Sequence, residues 1–151
     1  MSKKNVNVIT DMTVANTCLC YKLRATSRKV TRRYDSALKP VGLKANQFSV
    51  MVAISIMSPV SITDLSEALA MDRTTLTRNL RPLEKSGLIK LTDGYGRIRD
   101  ITLSEEGVST LKKAKPLWNS AQSKLRKELG DTDSEQIGQL LNQILKNEVH
   151  T

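Results

Sequence analysis

Seven consecutive residues, Asp72-Arg73-Thr74-Thr75-Leu76-Thr77-Arg78, bring two forked cations and three hydroxyls into two helical turns. Groups of this kind reach base edges and phosphates. Arginine pairs bidentately with guanine O6 and N7, and the threonine methyl touches the methyl of thymine. Leu76, Leu80 and Leu83 fall on the opposite face by helical spacing, which turns the polar side outward. A helix face built only to meet water would carry Glu, Lys and Gln, because Thr is a weak helix former. Further along, Arg97 and Arg99 take alternate positions of one strand, a placement from which arginine enters a narrow minor groove. The plainer reading of that pair is a strand edge blunted by charge.

The second chemistry-bearing stretch is Cys18-Leu19-Cys20, which holds both thiols of the chain. On one continuous helix, residues two apart point about 200° from each other. That geometry excludes a shared metal ion and a local disulfide. The only histidine is His150, and the spacing matches no zinc signature, so no metal and no cofactor is expected. On the helical wheel Cys20 borders the apolar stripe, on the side of Ser27, Tyr34 and Leu38. Arg24, one turn on, favours a thiolate there, whereas Cys18 points away from the stripe. Two roles stand side by side: redox sensing by Cys20, or two small residues packed under an interface. A small aromatic or acidic ligand between this helix and the rest of the chain is equally compatible, with Tyr21, Arg24 and Arg28 to meet its carboxylate.

These groups need a scaffold, and helical periodicity supplies most of it. A long first helix is expected from near Asp11 to Lys39, ended by Pro40, with Leu19, Leu23, Val30, Tyr34, Ala37 and Leu38 as its apolar stripe. A second helix covers about Ala45 to Met57. Ser61 opens a short one from Ile62 to Ala70, and Asp72 caps the next, stopped by Gly87. The period then changes to two: Leu88 to Thr92 and Arg97 to Leu103 form a hairpin about Asp93-Gly94-Tyr95-Gly96. Ser104 caps a long helical region in which Pro116 should introduce a kink. Thr132-Asp133-Ser134-Glu135 reads as a capping box for a last helix. Short helix, turn, helix and two-stranded ribbon make a winged helix-turn-helix. The fold class is therefore mainly α with a small β-hairpin wing. Residues 45–115 form the DNA-binding lobe, and residues 11–40 and 116–147 are dimerisation helices whose stripes nothing else in one chain covers.

Composition narrows the function classes. The chain has 151 residues and a net charge of +9, and so basic a balance suits phosphate. Lys3 and Lys4 lead into polar sequence, and the most apolar run, Phe48 to Met57, is too short to cross a bilayer. A cytoplasmic location without membrane contact is expected. There is no Gly-rich phosphate loop, no nucleophile elbow and no His–carboxylate combination, so an enzyme is not expected. A non-specific architectural DNA binder is the alternative that basic charge alone would satisfy.

The run "DLSEALAMDRTTLTRNLRPLEKSGLI", followed by the hairpin and "ITLSEEG", resembles the multiple-antibiotic-resistance regulator (MarR) family over nearly the whole chain. The resemblance implies a homodimeric winged helix-turn-helix transcription factor, usually a repressor on a pseudo-palindromic operator. It also implies release by a small ligand or by an oxidant such as an organic peroxide. In one departure, the family's Asp-x-Arg wing element reads Tyr95-Gly96-Arg97 here. "LCYKLRATSR" is similar to the first helix of the organic-hydroperoxide regulators within that family. Cys20 falls at their sensing cysteine and Tyr34 at one of its tyrosine partners, while the second tyrosine position is Ala45.

Overall fold

A computed structural model of the chain describes residues 10–93 and 99–146. Seven α-helices and three short strands follow in the order α1 (Asp11–Thr17), α2 (Leu19–Leu38), α3 (Ala45–Met57), β1 (Val60–Ser61), α4 (Ile62–Ala68), α5 (Arg73–Lys85), β2 (Ile89–Asp93), β3 (Arg99–Leu103), α6 (Glu105–Leu129) and α7 (Asp131–Lys146). A 3-10 turn, Lys39–Val41, carries Pro40 at the end of α2, and Gly42 closes it at φ +70°.

The expected long first helix is two helices. Cys18 leaves the helical region at φ −63° and ψ 106°, ending α1 and standing as the N-cap of α2. Its Sγ accepts the Tyr21 amide hydrogen at 3.4 Å. A sulfur in place of the usual hydroxyl caps weakly, so nothing in the residue types announces this break. The 200° separation of the two thiols therefore does not hold at the junction, because Cys18 is not helical.

Three smaller expectations also change. Val60 and Ser61 form a third strand, β1, pairing antiparallel with β3 in the order β1-β3-β2. Two residues are too short to show a period. Helix α6 runs unbroken through Pro116, and α7 starts at Asp131, so Thr132 lies inside its first turn rather than capping it. Ser134 donates instead to the Gly130 carbonyl at 2.7 Å.

The core lies inside the lobe. Leu65 of α4, Leu76, Leu80 and Leu83 of α5, Ile89 of β2 and Ile101 of β3 close on Val50, Met51 and Ile54 of α3. At about 1.5–3 kcal/mol for each fully buried aliphatic side chain, this burial holds α5 against the lobe. Ser104 ties the end of the wing to the start of α6. Its Oγ accepts from the Gly107 amide at 2.9 Å and donates to the Gly87 carbonyl at 2.5 Å. The terminal helices are covered differently. Leu38 is buried, yet Met12, Leu19, Leu140 and Leu145 are 58–70% exposed.

Candidate nucleic-acid interface

Helices α4 and α5 make a helix-turn-helix whose turn holds Ala70 at φ +50°. Ala70 and Met71 donate to the Glu67 and Ser66 carbonyls, which closes α4 and aims the chain at Asp72. The Asp72 carboxylate then caps α5 twice. It accepts the Thr75 amide at 2.8 Å and the Thr75 hydroxyl at 2.6 Å. These bonds, led by the Thr75 hydroxyl, hold the carboxyl below its ordinary value of 3.8.

With the buried leucines fixing rotation, Arg73, Thr74, Thr77, Arg78 and Arg81 line one outward recess of about 390 Å³. Four of the five α5 residues expected from sequence fall here; Thr75 is engaged by the cap instead. Arg73 also reaches back to the Thr63 hydroxyl of α4 at 2.8 Å, fixing α5 relative to its neighbour. The Thr77 hydroxyl donates to the Arg73 carbonyl at 2.7 Å, which leaves its oxygen lone pairs as acceptors. Thr74, Arg78 and Arg81 are exposed. Arg81 extends the site beyond the expected set. Its signal was its position, fourth after Thr77 and third after Arg78, on the same helical face.

The wing is described in part. Strands β2 and β3 pair from Ile89 with Leu103 to Asp93 with Arg99. Arg97 and the turn around it lie outside the described residues, and Arg99 is placed by its backbone alone.

The thiol-bearing region is spread out. Cys18 is half-buried at the α1–α2 junction and Cys20 is exposed in the first turn of α2. Arg24 is exposed one turn on. Tyr34 is 14 positions beyond Cys20 on the same helix, about 21 Å along the axis, so the two do not meet within one chain. Its hydroxyl donates instead to Gln122 Oε1 of α6, and partial burial raises its pKa above 10.0. Tyr34, Ala45, Phe48 and Trp118 line a recess of about 170 Å³ between α2, α3 and α6. The Phe48 and Trp118 rings stack there, with centroids 6.1 Å apart. Among the described residues, no three His, Cys, Asp or Glu side chains gather where they could hold a metal ion, and no helix is long and apolar enough to cross a membrane.

Comparison with known proteins agrees with this architecture. The MarR family model matches residues 43–93, from the end of the first connection through β2. The transcriptional regulator SarZ of Staphylococcus haemolyticus is 33% identical over 93 residues, 60% of this chain; the match spans 63% of SarZ, less than two thirds of its length. The organic hydroperoxide resistance transcriptional regulator of Bacillus subtilis is 30% identical over 98 residues, covering 64% of this chain and 67% of that one. Among solved structures, the M. tuberculosis transcriptional regulator MosR superposes with a TM-score of 0.71 at 32% identity, covering 84% of this chain and 97% of that one. With a helix-turn-helix held on a winged lobe and relatives that are transcription regulators and not enzymes, the chain belongs to the MarR family.

Proposed function

We propose that the chain is a transcriptional repressor that binds a pseudo-palindromic operator as a homodimer. A small ligand or thiol oxidation releases it. The observation that carries the reading is the outward face of α5, where Thr74, Thr77, Arg78 and Arg81 share one recess. Among the described residues neither Arg78 nor Arg81 has an ion-pair partner, so both guanidinium groups are available to guanine edges or phosphates. Paired half-sites need two such helices about 34–36 Å apart, which a second copy supplies. The exposed leucines of α2 and α7 support residues 11–40 and 116–147 as its contact.

Release requires an effector that favours one arrangement of lobe and terminal helices over another. The recess beneath Tyr34, Phe48 and Trp118 touches α2, α3 and α6 at once, and its aromatic lining suits a small aromatic molecule, whereas Tyr21, Arg24 and Arg28, the expected partners of an acidic one, lie outside it. Cys20, exposed at the start of α2, is the thiol open to an organic peroxide.

A mobility-shift titration on the DNA upstream of the protein's own gene tests the core of this reading. Preference for that DNA over random duplex by about a thousandfold is expected. Arg78→Ala should weaken operator binding by about 1–3 kcal/mol, roughly 5- to 150-fold. Equal affinity for both duplexes would make the protein an architectural binder instead.

A further inference from the structure

A second concavity, separate from the Tyr34 recess, lies between α2 and α6 and measures about 740 Å³, within the size range of organic-ligand sites. Its walls carry Lys29, Arg32 and Arg33 from α2 and Lys124 from α6. Glu128 is the one carboxylate among the lining residues, and it is already paired to Arg33 at 2.5 Å. Lys29, Arg32 and Lys124 have no ion-pair partner among the described residues. Between the charges the cleft is lined by Ala37, Ala121 and Leu125.

We propose that this cleft binds a phosphate-bearing amphiphile, with the phosphate held by Arg32, Lys124 and Lys29 and the apolar part laid on Ala37, Ala121 and Leu125. Cations from two facing helices suit a multiply charged group, because each phosphate oxygen accepts a separate charge-assisted hydrogen bond. A single carboxylate would leave most of that positive charge uncompensated. The small residues Ala37 and Ala121 leave the space that the alkyl part fills, while a free inorganic anion would leave the apolar lining unused. The site goes beyond the operator and release reading, and its binding is measurable without DNA.

Trp118 lines the Tyr34 recess and not this cleft, so binding is read by titration calorimetry and tryptophan fluorescence reports occupation of the other recess. The full-length protein is titrated with octyl phosphate below its micelle concentration, then with inorganic phosphate and with octanol. Saturable binding of octyl phosphate is expected, at least tenfold tighter than either control. Arg32→Gln/Lys124→Gln should weaken it at least tenfold, and Ala121→Phe, which fills the floor while keeping the charges, should block it. Helical content of both variants should match the wild type. Unchanged binding in the double variant places the probe in the Tyr34 recess and overturns the proposal. A double variant that dissociates into single chains assigns the cleft to the interface between copies. One that loses operator affinity without the probe assigns the cations to DNA phosphate. Either result overturns the proposal while leaving the operator reading standing on the wild-type shift.

Discussion

Asp72 and Thr75 show how a residue's type can be legible while its task is not. Thr75 stands among the hydroxyls of a run whose residue types suit DNA reading, and both its amide and its hydroxyl are bound to the Asp72 carboxylate. Those bonds depress the Asp72 pKa, so the carboxylate stabilises the fold above its unfolded value and this contribution is lost as pH falls through the lower folded one. Asp72→Ala should therefore melt at a lower temperature than the wild type at pH 7, with the gap closing below about pH 4. Thermal melts followed by circular dichroism across that range test it. At the other end of the chain, Cys20 is exposed whereas Cys18 is half-buried and caps α2. Under the proposed thiol release, Cys20→Ser should abolish release of operator DNA by cumene hydroperoxide and keep the unoxidised affinity. A mutant that releases like the wild type, or a wild type that never releases, would end the thiol reading.

The elements of the lobe were legible because each has a strong local signal. Ser61, Asp72 and Ser104 cap α4, α5 and α6 as their residue types require, and Gly87 takes φ +69° after α5. The break at Cys18 and strand β1 were not legible. A cysteine cap has no distinctive residue signature, and a two-residue strand exists only through its partner β3. The contact between the wing and α6 is of the same kind. Gly107 reads as a helix-weakening glycine, but an added Cβ would lie 1.9 Å from the Leu88 carbonyl oxygen. Leu88 O also accepts the Ser104 amide at 3.0 Å, so the strand entrance cannot retreat without loss of that bond. Gly107→Ala should destabilise the lobe by about 3 kcal/mol or more, read as a fall in melting temperature.

Much of the exposed apolar surface lies on the terminal helices, with Ile56 and Val108 exposed on the lobe. Helix α7 has no buried residue, and Ile137, Leu140, Leu141, Ile144 and Leu145 are all exposed on it. Met12, Val14, Leu19 and Leu23 are exposed at the opposite end of the sequence. Apolar area of this extent marks a protein interface. Leu140→Asp/Ile144→Asp should convert the proposed homodimer to single folded chains, seen by sedimentation velocity as a halved mass with helical content retained. A variant that keeps the mass of a dimer would move the contact elsewhere.

Periodicity, caps and turn residues were enough to establish a winged helix-turn-helix and the outward face of Arg73, Thr74, Thr77 and Arg78, because these depend on neighbours within a few positions. The expected stripe of α2 is exposed at Leu19 and Leu23 but covered within the chain further on, where Leu38 is buried and Val30, Tyr34 and Ala37 are half-buried. Other features depend on groups far apart in the chain. The Thr75 hydroxyl is bound to the Asp72 carboxylate, Arg73 is pinned to Thr63, and within one chain Tyr34 turns to Gln122 rather than to Cys20. The basic cleft has the same origin. Lys29 and Lys124 read separately as solvated charges on two helices, and only the packing of α2 on α6 sets them around one apolar floor. Spacing along the sequence fixes which way a side chain points on its own helix; packing fixes what it points at.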